Sequence, residues 1–156
     1  MAGTRVSAVA LPEGSRLAER LAPGDFLDCY SVEAALGPRE AANVVVAFPG
    51  WARALVGLRN TLLAPFGLSR EGPPAADKLG AFPVESETRD ELIAGFDDKH
   101  LNFRVSVMAR QGRVYLATWV RRHNLGGRLY LAAIMPFHIL IARNALARVA
   151  RAAGKT

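Results

Sequence analysis

Between Phe82 and His123 the chain alternates apolar and polar residues in four runs separated by short turns, and no other feature constrains the fold as strongly. Alternation with period two is the mark of a half-buried strand. The runs are Phe82 to Glu87, Glu91 to Asp97, His100 to Arg110 and Arg113 to His123. A Gln111-Gly112 turn sets Met108 against Tyr115, Val107 against Leu116, Val105 against Thr118 and Phe103 against Val120. On that register Leu101, Phe103, Val105, Val107, Val114, Leu116 and Val120 share one face. A two-residue Asp98-Lys99 turn adds Leu92, Ala94 and Phe96, and a three-residue turn over Thr88 to Asp90 adds Phe82 and Val84. Independent turns agree on one apolar face, which predicts an antiparallel meander.

The flanks supply helices. Phe26 to Val32 reads as a further strand, with Phe26, Asp28, Tyr30 and Val32 on one side and Leu27, Cys29 and Ser31 on the other. Gly37-Pro38 opens a helix to about Phe48, and Pro49-Gly50 breaks it before a second helix from Trp51 to about Ala64. In the second helix Trp51, Leu55, Leu58 and Leu62 recur at helical spacing and are expected to face the core. Residues 1–24 form an arm, with a short strand around Val6, Ala8 and Ala10 and a short helix within Pro12 to Leu21. Ser69 to Lys78 reads as an internal loop. A final helix is expected from about Leu125 to Ala152, kinked at Pro136. Its tract from Leu129 to Ala142 is apolar except for His138; at 14 residues it is short of the ~20 that span a bilayer. That predicts a core helix and no transmembrane segment. The class is α+β, one domain over residues 1–156, with helices laid across one face of an antiparallel sheet.

Composition narrows the function classes. One Cys among 156 residues excludes an intramolecular disulfide, and no Cys/His spacing matches a zinc site. Val6 to Leu11 is too short for a secretory h-region, which predicts a cytoplasmic protein. Charge divides the chain: all 14 acidic residues lie at or before Asp98 against 9 basic ones, while residues 99–156 hold 11 basic residues and no acid. The two halves are therefore expected to pack together and neutralise each other in part. The basic last third also offers a surface for an anionic partner.

The meander's other face carries the candidate site residues. It displays His100, Asn102, Arg104, Ser106 and Met108 beside Tyr115, Trp119, Arg121 and His123, with Glu91, Ile93 and Asp97 on the next strand. Arg104 falls opposite Trp119, where a guanidinium can stack on the indole. Basic residues interleaved with Tyr115 and Trp119 make a platform for an anionic or aromatic ligand, but without a recognised motif they fall short of a nucleic-acid reading. Asp97, His100 and His123 are expected to share one row at the sheet's end, where a carboxylate can polarise a histidine base or complete a metal pair. Cys29 reads as a buried structural thiol and His138 as a hydrogen-bonded core histidine. Ser31 and Ser106 lack a nucleophile elbow or triad order. Gly126-Gly127 marks a strand-to-helix turn whose helix start, near Arg121, Arg122 and Arg128, is suited to an anion.

Four stretches carry a family resemblance: DFLDCYSVE (25–33), WARALVGLRNTLLAPFGL (51–68), DDKHLNFRVSV (97–107) and RRHNLGGRLYLAAIMPFHILI (121–141). They resemble the bacterial domain-of-unknown-function 2867 family. The order of elements is similar to the helix-grip layout of START/Bet v 1-like proteins, in which a long C-terminal helix closes a curved sheet over an apolar cavity. The resemblance implies no catalytic residue. Some relatives join a similar domain to an NAD-binding one, but no G-x-G-x-x-G follows a strand here and no cofactor is expected. The expectation is a binding module for an apolar or amphipathic small molecule between sheet and C-terminal helix, with a cavity not filled by Phe48, Phe66, Phe103 and Phe137. The alternative is an interaction domain whose basic C-terminal surface, including Arg143, Arg148 and Arg151, meets a protein, an anionic lipid or RNA. A third reading is an enzyme built on the Asp97, His100 and His123 row. All three leave the oligomeric state open.

Overall fold

The computed structural model describes residues 5–63, 65 and 74–154; part of the expected loop (69–73) and Phe66 lie outside that set. Seven strands form an antiparallel sheet in the order β1-β2-β7-β6-β5-β4-β3. They are β1 (Ser7–Ala8), β2 (Phe26–Glu33), β3 (Lys78–Leu79), β4 (Phe82–Glu87), β5 (Glu91–Asp97), β6 (Leu101–Arg110) and β7 (Arg113–Arg122). Helices α1 (Pro38–Val46) and α2 (Gly50–Leu63) follow β2, and α3 (Leu125–Ala153) ends the chain. The meander from β4 to β7 thus returns across the sheet to pair with β2.

The β6–β7 register is the one that the Gln111-Gly112 turn predicts, Met108 against Tyr115 through Phe103 against Val120. Gln111 and Gly112 both take positive φ, as a tight hairpin demands. The β5–β6 register differs. Asp97 pairs with Asn102 rather than His100, because the turn spans residues 98–100 and closes with Asp98 N–H on the Leu101 carbonyl. A shift of two keeps every side chain on its face, so the apolar face survives. In β4 a bulge between Val84 and Ser86 corrects the register after the Thr88–Asp90 turn, leaving Val84 opposite Ala94.

The core lies where that face meets α1 and the second half of α3. Val32, Leu92, Val107, Val114 and Leu116 from the sheet pack with Ala41, Ala42 and Val45 of α1 and with Ala142, Ala145, Leu146 and Val149 of α3. Alanines on the buried side of α1 allow the close approach. Arg148 then caps α1: its guanidinium donates to the carbonyls of Val44 (2.5 Å), Ala47 (2.7 Å) and Val45 (3.3 Å) at the helix's C-terminal end, where Val44 also accepts from the Ala47 N–H. At its other end α3 is fixed by Asn124, whose side chain accepts from the Gly127 N–H at 2.9 Å. Gly127 is required there, since a Cβ would sit 2.3 Å from the His100 carbonyl oxygen. α3 continues through Pro136 as a single helix.

Two expectations are corrected. The sheet face opposite α3 is covered by the N-terminal arm: Leu17, in a short 3-10 helix (Arg16–Arg20), packs on Cys29, Ile93, Ala117 and Trp119. And the helix stripes expected to be core are in part exposed. Trp51, Leu58 and Leu62 of α2 face solvent, and so do Leu125, Leu129, Phe137 and Leu140 of α3. The apolar tract Leu129 to Ala142 lies in a 29-residue helix that by length and composition alone is apolar enough to cross a membrane, and 17% of its 18-residue apolar window is buried.

Candidate functional site

Alternation along β2 places Asp28 on the same side as Phe26, Tyr30 and Val32, against α3. On α3 the inward row is Leu131, Ile134, Met135, His138, Ala142, Ala145, Leu146 and Val149, spaced as one face of a helix. His138 is the polar member of this row, and its Nε2 meets Asp28 Oδ2 at 2.8 Å. The Phe26 ring abuts the imidazole edge-on at 6.2 Å. Asp28 Oδ1 is buried with no hydrogen-bond donor among the described residues. A buried carboxylate oxygen without a donor costs about 1–3 kcal/mol, so the pair is not simply a stabilising core contact. Around it Phe26, Phe103, Ile134 and Met135 are half-buried against Leu131 and Val120.

The core-histidine reading of His138 is right about the bond, but no local pattern names the partner. Asp28 and His138 are far apart in the chain. The signals available were an acid on the apolar side of a strand and a lone histidine in an apolar tract.

The residues singled out on the opposite face are placed as follows. Trp119 is 1% exposed, and its indole N–H donates to Asp25 Oδ2 at 2.9 Å. Arg104 does pair with Trp119 in register, yet the guanidinium groups over the indole belong to Arg121 (5.2 Å) and Arg20 (5.6 Å). Arg104 is buried and turns instead to Asp97 Oδ1 at 3.0 Å, the Phe103 carbonyl at 2.7 Å and Glu85 Oε1 at 3.3 Å. Gly95, at φ +146°, lies across from Arg104 and gives it room. Tyr115 is half-buried beside the Trp119 cluster. Arg121 donates to both oxygens of Asp25, at 3.1 and 3.0 Å. That bond, followed by those from Trp119 and the Ala22 N–H, outweighs burial and holds the Asp25 carboxyl down at about 2.

Asp97, His100 and His123 do not form one row. The two-residue register shift moves Asp97 inward to Arg104, His100 Nδ1 meets the Asn124 side chain at 3.1 to 3.3 Å, and His123 Nε2 meets Asn102 Oδ1 at 2.8 Å. Among the described residues no group of three His, Cys, Asp or Glu side chains is placed to hold a metal ion. Burial, and after it the neighbouring Asp28 carboxylate, pushes the Cys29 thiol up to about 12, which keeps it protonated and unreactive at neutral pH. Glu91 is also buried on this face, accepting from Ser15 Oγ (2.6 Å), Ser106 Oγ (2.5 Å) and the Arg16 N–H (2.9 Å). It fastens the arm to the sheet.

Two clefts mark the surface. One, of about 370 Å³, is lined by Arg16, Glu19, Arg20, Glu85, Ser86 and Ile93 on the arm side of the sheet. The other, of about 240 Å³, lies at the hairpin end near Ala34, Pro38, Asp90 and Arg113. Neither is the apolar cavity expected between sheet and α3. That interface is packed over the second half of α3 and half-open around the Asp28–His138 pair, where Phe137 points outward at 49% exposed. Of the C-terminal arginines, Arg148 caps α1, and Arg143 lies over the Tyr30 ring at 5.1 Å.

The architecture is an antiparallel sheet gripped by a long C-terminal helix, consistent with the helix-grip layout. No curated protein and no solved structure matches the chain. The profile of one family, described as protein of unknown function DUF2867, matches residues 20–145, which takes in every element from β2 to most of α3. The chain belongs to the DUF2867 family.

Proposed function

We propose that the chain binds an apolar or amphipathic small molecule between the sheet and the first half of α3, with the Asp28–His138 pair holding its polar end. The observation that carries this reading is Asp28 Oδ1, a buried acceptor without a donor among the described residues, in an apolar setting. Apolar sites with a few convergent polar groups are the usual form of a small-molecule pocket. His138 Nε2 is engaged with Asp28 Oδ2, which leaves Asp28 Oδ1 to accept from a hydroxyl or amide of the ligand and His138 Nδ1 as a second polar point beside it. Phe26, Phe103, Ile134 and Met135 are half-buried, so the apolar part of the ligand lies along this open flank rather than in a sealed cavity.

Native mass spectrometry of the protein purified from cells, followed by organic extraction, tests the reading. The expected result is a reproducible mass excess traced to an apolar or amphipathic compound and diminished in Asp28→Asn. An apo mass for the wild type, with no uptake of amphipathic compounds on titration, would overturn it.

A further inference from the structure

The inward row of α3 grips the sheet, yet the outward side of its first half is apolar as well. Leu125, Leu129, Phe137 and Leu140 are exposed there, with Ala132, Ala133 and Pro136 between them. Leu129 is 63% and Leu140 55% exposed. α2 repeats the pattern with Trp51, Val56, Leu58 and Leu62 exposed. It adjoins α3 through Arg59, whose Nε donates to the Tyr130 hydroxyl at 3.0 Å and whose guanidinium lies over that ring. A helix that faces water on one side should be polar on that side; a helix apolar all round has a second apolar neighbour. Two adjoining helices with this defect make an apolar surface larger than scattered exposed residues explain.

Charge identifies the neighbour. Neither α2 nor α3 contains a single acid, and the chain has none after Asp98. The exposed charges bordering the apolar residues are Arg53 on α2 and Arg128 on α3, while Arg143, further along α3, is turned to the Tyr30 ring and the Val6 carbonyl. A two-fold contact with a second copy would bring one arginine rim against another. An anionic lipid surface accepts both components, with acyl chains beneath the leucines and phosphate headgroups at the arginines. Trp51 and Tyr130, each an aromatic body with a polar tip, suit the boundary between them.

We infer that α2 and the outward side of the first half of α3 seat the protein on an anionic membrane surface. This inference is independent of the small-molecule reading, because it uses the opposite side of α3.

Flotation of the 156-residue chain with vesicles tests it, using phosphatidylglycerol mixed with phosphatidylcholine against phosphatidylcholine alone. The expected result is flotation with the anionic vesicles only, weakened by salt, with a blue shift of Trp51 emission read in a Trp119→Phe background. Arg53→Gln and Arg128→Gln should each lower partitioning about fivefold. Leu129→Glu with Leu140→Glu should abolish it while circular dichroism stays that of the wild type, since both side chains are exposed. Absence of flotation with anionic vesicles would overturn the inference, as would flotation undiminished by the paired glutamates. A dimer in solution that the same glutamates dissociate would also overturn it, assigning the face to a second copy.

Discussion

Asp25 shows how one side chain ties the arm to the sheet. It takes bonds from Trp119 and Arg121 of β7 and from the Ala22 N–H, and its carboxyl is held near 2 against an ordinary 3.8. Because the folded value is depressed, the stabilisation is present above about 3.8 and is lost as pH falls from there toward 2. In a Trp51→Phe background, Trp119 emission should therefore shift to the red across that window in the wild type. Asp25→Asn should show a red-shifted signal at neutral pH and little further change on acidification. Gly95 makes a second residue-scale case. A Cβ there would meet the Phe103 carbonyl oxygen at 2.3 Å, and φ of +146° is strained for any other residue. Gly95→Ala should cost about 2 kcal/mol or more, read as the shift in a urea unfolding midpoint. The sequence put Arg104 and Trp119 on one face correctly. It did not show which cations stack on the indole, because a strand's alternation fixes the side of the sheet and not the rotamer.

At the scale of elements, the meander was legible because turn chemistry and period-two alternation are both local. Even the β5–β6 error, a slip of two residues, preserved the faces while moving every residue of β5, Asp97 included, two places along β6. Helix stripes carry less information. Leu146 and Leu58 both recur at helical spacing, yet Leu146 is fully buried and Leu58 is 55% exposed, since periodicity does not say whether a partner lies against the stripe. The arm was hidden for a related reason: only a few of its apolar residues, Leu11 and Leu17 among them, contact the sheet, and no pattern registers them on it. Leu146→Ala should cost about 2–5 kcal/mol on unfolding, whereas Leu58→Ala should change stability by less than about 0.5 kcal/mol. Arg148→Met keeps the packed stem but removes the guanidinium from the carbonyls of Val44, Val45 and Ala47 at the end of α1. It should cost about 1–3 kcal/mol in the same denaturation experiment.

Across the whole molecule the division of charge is resolved by the fold. Acids from the first half meet arginines from the second: Asp25 with Arg121, Glu33 with Arg113, and Glu85 and Asp97 with Arg104. α2 and the outer side of α3 take no part in this pairing: exposed apolar side chains and arginines stand there, and neither helix contains an acid. The Asp28–His138 pair remains as a part-buried polar contact in an apolar setting, with one carboxyl oxygen, Asp28 Oδ1, fully buried. Replacing such a pair by apolar residues of similar size is often neutral or stabilising by about 1–4 kcal/mol. The proposed ligand site rests on this pair, and setting stability against occupancy in Asp28→Leu/His138→Leu tests it most directly. The expected result is a protein folded at least as stably as the wild type that carries none of the wild-type's extractable compound by native mass spectrometry. A variant that keeps the same mass excess, or that unfolds because the pair is gone, would contradict it.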